Sequence, residues 1–162
     1  MNKLVWVLIV VVVAGIGYLA ITNSSDLEDG RRVYMNEKYG FGIELPDGYS
    51  EHQAHESSAI NEEVLFSTTF APQSREFLPF FAVDVIRNEF FSGVERYMEN
   101  TLSAVVSPDM VSEGSVEGKS YRVFLGNGHY FSFIESDNTT FVVRSPSKEL
   151  FDEVFSTFRF LD

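Results

Sequence analysis

The chain contains no cysteine. Disulfides and thiol chemistry are therefore excluded, as is a lipid-modified N-terminal cysteine. Basic residues are scarce: 12 Lys and Arg stand against 24 Asp and Glu, a formal net charge of −12. Such a surface repels phosphate backbones, which excludes nucleic acid as a partner, and it keeps a domain outside the cell soluble. No phosphate-cradling glycine loop is present, because Gly126-Asn127-Gly128 lies between two strand-like segments instead of opening a helix. Nor is there a G-x-S-x-G elbow; Gly114-Ser115 lacks the flanking pattern. These absences point away from an enzyme, and no cofactor is implied.

What the chain does have is an apolar start. Residues 4–21 run for eighteen positions without a charge, behind the single Lys3. As a helix they would reach about 27 Å, close to the ~30 Å hydrocarbon thickness of a bilayer. Trp6 and Tyr18 stand near the two ends, where amphipathic rings favour the interface. A cleaved signal would have a shorter apolar region and small residues at the cut, whereas Tyr18-Leu19-Ala20 is bulky at its first position. The segment reads as an uncleaved single-pass anchor with Lys3 cytoplasmic and all that follows outside the cell membrane. This divides the chain into a cytoplasmic tip (1–3), a transmembrane anchor (4–21), a polar flexible stalk (22–31) and an extracytoplasmic domain (32–162).

Sixteen Phe and seven Tyr give that domain ample core material, since each buried ring removes roughly 150–250 Å² from water. Residues 39–45 alternate, with Phe41, Ile43 and Leu45 on one face, and Pro46-Asp47-Gly48 then makes a tight turn. Residues 50–61 lack a period and read as a loop. Residues 64–70 and 80–86 read as strands, the second apolar on both faces except for Asp84. Residues 92–105 have helical spacing, with Ser92 and Glu95 set for a capping box and Val94, Tyr97, Met98, Thr101, Leu102 and Val105 on one face. Three antiparallel strands follow over 116–125, 129–135 and 140–144, the first two joined by an Asn-Gly hairpin turn. Ser145-Pro146 fits the start of a final helix. The element order predicts an α+β fold, an antiparallel sheet with helices packed on it.

Tyr34, Asn36 and residues 39–49 (YGFGIELPDGY) resemble the opening pattern of PsbP/Mog1-like domains, and Phe151 to Phe160 resembles their close. Tyr49 stands where that family usually has tryptophan. The likeness covers most of residues 33–161, with the middle section not diagnostic. It implies an α/β/α sandwich around an antiparallel sheet and a module that is generally not catalytic; the family includes extrinsic photosystem proteins, a small-GTPase cofactor and anchored bacterial proteins.

Two features carry possible chemistry. His52 and His55 form an H-x-x-H flanked by Glu51 and Glu56. On a helix their imidazoles would share a face and, with a carboxylate, suit a divalent metal, making them the candidate metal ligands; on a polar loop they are two solvated histidines. His129 directly follows the Asn-Gly turn and reads as a surface residue. Asp84 is the odd charge: a carboxylate in a pocket, an outward-facing strand residue, or a buried acid paired with Arg122 or Arg144. The leading reading is a membrane-tethered, non-catalytic binding or accessory module supporting another protein or complex of the cell envelope. The alternative is an envelope metal-dependent enzyme or small-ligand-binding domain using the His52/His55 region.

Overall fold

A computed structural model of the chain describes residues 23–28, 31–56, 63–73 and 79–161. The anchor assigned to residues 4–21 and the tip before it lie outside the described residues. Among the described residues no helix is long and apolar enough to cross a membrane.

Two antiparallel sheets form the body. The smaller has the order β1-β2-β3-β11, from β1 (Asn23–Glu28), β2 (Arg31–Asn36), β3 (Phe41–Leu45) and β11 (Arg159–Phe160). The stretch read as a stalk thus carries a strand. The larger sheet has seven strands in the order β4-β5-β6-β10-β9-β8-β7. These are β4 (Tyr49–Glu56), β5 (Val64–Pro72), β6 (Phe81–Arg87), β7 (Asp109–Val116), β8 (Lys119–Gly126), β9 (His129–Glu135) and β10 (Thr139–Ser145). Among the described residues two α-helices accompany them, α1 (Val94–Leu102) and α2 (Lys148–Phe155).

The expected α+β fold, with an α/β/α sandwich, is overturned by this arrangement. Strands dominate, and one face of the large sheet is covered mainly by a second sheet. The reason is visible in three polar segments. Residues 31–36, 49–56 and 109–116 are strands, yet two of them lie at sheet edges with most side chains in water. An edge strand wet on both faces has no hydrophobic alternation to betray it.

The central strand β6 shows how the layers are assembled. Its side chains alternate with the two-residue period of a strand. Phe81, Val83 and Val85 enter a large core against the small sheet and α2, with Phe41, Phe70, Phe151 and Phe158. Ile86 enters the second core, under α1, with Tyr97, Met98, Phe131 and Phe133. In the first core Phe70 stacks on Phe81 at 4.6 Å between ring centroids, and Phe41 stacks on Phe158 at 6.0 Å.

Local signals were partly as expected. Asn127 and Gly128 both have positive φ (50° and 77°), as the two-residue hairpin turn demands. A second such turn at Glu117 and Gly118 (φ 48° and 80°) divides the segment read as one strand over 116–125. The capping box on α1 does not form: Gly93 is the N-cap, and Ser92 donates both its N–H and its hydroxyl to Glu63 at 3.1 Å. The helix stops at Ser103 in left-handed conformation (φ 52°), which throws Val105 out of the inner stripe into solvent. On α2 the cap is Ser147, accepting from the Leu150 N–H at 3.4 Å, while Ser145 donates to the Phe80 carbonyl at 3.1 Å.

Candidate functional site

Asp84 lies on the α1 face of β6 and is 3 % exposed. Register puts Ser67 of β5 and Val142 of β10 beside it, and Arg144, two residues along β10, on the diagonal of the same face. Asp84 Oδ2 accepts from Arg144 Nε at 2.8 Å and from the Tyr97 hydroxyl, reaching down from α1, at 2.5 Å. Both bonds are of the short, charge-assisted kind. Burial, then the neighbouring Asp84 carboxylate, push the Tyr97 hydroxyl pKa well above its ordinary value. For Arg144, burial pulls the pKa down, but Asp84 and the adjacent Tyr97 outweigh it and the net shift is upward. Of the two arginines considered as partners of Asp84, Arg122 instead binds Glu135 at 2.5 Å.

This triad forms the floor of a cleft of about 260 Å³ between α1 and the sheet. Ser67, Asn100 and Thr101 supply polar groups around it, with Val64 and Glu63 at its side. The sequence marked Asp84 and Arg144. Tyr97 and Thr101 were hidden as members of a helical stripe, and Glu63, Ser67 and Asn100 had no signal beyond being polar.

His52 and His55 do not share a helical face, because they lie on β4. His52 occupies the extra position of a β-bulge between Glu51 and Gln53, and His55 pairs with Ser67. Both are exposed. Their acidic neighbours are engaged elsewhere: Glu51 accepts from Thr68 at 2.9 Å and Glu56 from Lys38 at 2.6 Å. Among the described residues no three His, Asp or Glu converge on a point that would hold a metal. His129 sits at its hairpin with Nδ1 3.2 Å from the Asn127 carbonyl.

The opposite edge of the large sheet is different in character. Strand β7 pairs with β8 alone, so its outer row of N–H and C=O groups meets no strand among the described residues. Seven of its eight residues are exposed. Met110 and Val111 are 57 % and 53 % exposed, and Val105 just before the strand is 88 % exposed. Apolar side chains beside free backbone groups are what an added strand recognises. Asp109 and Glu113 supply negative charge along the same edge.

Neither a protein-family profile nor a curated protein matches the chain.

Proposed function

We propose that this chain is a membrane-tethered extracytoplasmic binding or accessory module, non-catalytic, that supports another protein of the cell envelope. The β7 edge carries the reading: a long exposed strand with Met110, Val111 and nearby Val105 in water, on a chain of formal net charge −12. A protein that keeps such an edge open invites pairing, and most proteins blunt it. The tether is supported by the uncharged run at residues 4–21, and the resemblance to PsbP/Mog1-like domains agrees with a supporting role. The partner offers an extended segment with apolar side chains and basic residues to meet Asp109 and Glu113.

Site-specific photo-crosslinking in intact membranes tests this. A crosslinking residue at position 110, on β7, should yield a discrete adduct with one envelope protein. The same residue at position 56, on the opposite edge strand β4, should not. Equal labelling from both positions, or recovery of the chain in the aqueous fraction, would refute the reading.

A further inference from the structure

The β7 edge carries two chemistries, and its register with β8 places both on one face. Met110 opposes Phe124 and Glu113 opposes Arg122. Phe124 and Arg122 stand two apart on β8, so their partners share the α1 face of the sheet. The pairing skips Val111, which sits in a bulge between Met110 and Ser112, so two apolar residues together oppose the half-buried Phe124. Two positions beyond Val111 comes Glu113. Its cross-strand neighbour Arg122 is held by Glu135 at 2.5 Å, and Glu113 forms no ion pair among the described residues. An open hollow of about 720 Å³ borders the same carboxylate, lined in part by Glu113, Ser120, Arg122 and Glu135, two acids to one base. The opposite edge strand, β4, reads Glu51-His52-Gln53-Ala54-His55-Glu56 where it is exposed and has no such apolar pair.

Charge and spacing narrow what fits. A strand added along β7 runs beside it with the same two-residue alternation. A side chain set against Met110 and Val111 is therefore followed, two residues on and on the same face, by one set against Glu113. The first contact asks for an apolar group. The second asks for a cation on a stem long enough to enter the hollow. A second copy of this chain does not meet the pattern. Antiparallel pairing centred on Val111 would set Asp109 against Glu113 of the other copy, and pairing centred on Glu113 would set that carboxylate against itself; like charges directly opposite destabilise. Pairing centred on Ser112 would set Val111 against Glu113. Two chains of formal net charge −12 also repel as wholes. We propose, resting on the docking role already assigned to this edge, that β7 receives an extended segment of another protein carrying an apolar residue and, two positions away on the same face, a lysine or arginine.

The test uses the full chain in discs of zwitterionic lipid, which do not attract a cationic peptide. Fluorescence anisotropy reads affinity and backbone amide NMR reads location. The probe is the capped peptide TKTVTKT, whose lysines lie two positions from the valine in either chain direction. It should bind saturably with a Kd of about 1 mM or tighter, shift residues 110–113 and leave residues 51–56 unmoved. The peptide KTTVTTK has the same composition with lysine and valine on opposite faces, and it should bind about threefold or more weakly. TETVTET should bind at least about tenfold more weakly. Glu113→Lys should reverse the preference between lysine and glutamate peptides. Val111→Thr, which keeps the β-branched shape, should weaken TKTVTKT severalfold. Both positions are exposed, so neither variant disturbs the core. No saturable binding of TKTVTKT up to about 5 mM would overturn the proposal. So would equally tight binding of KTTVTTK or TETVTET, an unchanged preference in Glu113→Lys, or a crosslink from position 110 that joins two copies of this chain. A discrete crosslink to an envelope protein together with charge-blind peptide binding would sink the pattern and leave the docking role standing; no crosslink and no peptide binding would remove both.

Discussion

Replacing Asp84 with valine removes the acceptor that holds both Arg144 and Tyr97. Arg144, with only 20 % of its side chain exposed, would keep its charge without a partner. Removing one member of a buried ion pair costs about 3–5 kcal/mol, because the desolvated survivor is uncompensated. The lower part of that range is the better expectation, since the Arg144 side chain is partly open to water and Thr101 lies close enough to the Tyr97 hydroxyl to relieve it. For a single domain with a total stability of about 5–15 kcal/mol, a loss of about 3 is a large fraction. With a urea slope of about 2 kcal/mol per M, the midpoint should fall by about 1.5 M. Far-UV circular dichroism is the suitable probe, because the one tryptophan, Trp6, lies outside the described residues. The companion variant Asp84→Val with Arg144→Met removes both charges, and it should recover to within about 1 kcal/mol of the parent. If the double variant were as unstable as the single, the loss would come from packing and not from a stranded charge. A midpoint for Asp84→Val within about 0.3 M of the parent would refute the reasoning outright, since that is under 1 kcal/mol.

Three other outcomes follow from burial, close packing and capping elsewhere in the fold. Tyr34, Tyr49 and Tyr97 all have hydroxyl pKa values raised in the fold, chiefly by burial, with Glu51, Glu153 and Asp84 respectively adding to the shift. Above the ordinary value near 10 the unfolded chain releases these protons and the folded one holds them, so stability is complete below about pH 10 and falls as pH climbs toward the folded values. Urea midpoints measured from neutral to alkaline pH should show that fall, and Tyr97→Phe should flatten it. Gly126→Ala would place a methyl 2.5 Å from both Met98 Cε and Val106 Cγ1; thermal melts should show a loss of about 1–3 kcal/mol from overpacking, eased only as far as the Met98 tip can swing. Ser147→Ala removes the side-chain acceptor at the start of α2 and should cost about 1 kcal/mol in the same melts.

The sequence was most legible where a short stretch determines its own conformation. Asn127-Gly128 announces a hairpin because few residues tolerate two successive positive φ values, and the chain obeys. Asp84 stood out against the apolar residues of β6, and its true partner, Arg144, was among the two considered. Illegible features depend on distant neighbours. Ser92 would cap α1 if Glu63, 29 positions earlier, did not claim its hydroxyl and N–H. Strands β4 and β7 carry no alternation because neither has a dry side along most of its length. That β2 and β3, with β11, would spread as a second sheet over the aromatic core is a tertiary fact, set by Tyr34, Phe41 and Phe158 meeting Phe70 and Phe141 across the layers. The tripartite bonding at Asp84 needed the pitch of α1 to deliver Tyr97, which spacing alone marked as core.

The two covers of the large sheet are unequal. Among the described residues one face lies beneath the small sheet and α2, the other chiefly beneath the nine residues of α1, of which Tyr97 and Met98 are buried, with Phe91 and Val106 beside them. Cooperative units with the fewest dry contacts detach first in the native state. Backbone amides of α1 should therefore exchange with deuterated water long before those of β6, β9 and β10, through excursions in which the helix lifts while the sheet stays intact. Each such excursion parts Tyr97 from Asp84, so the hydroxyl that burial holds protonated and the opening motion of the helix are governed by the same short segment.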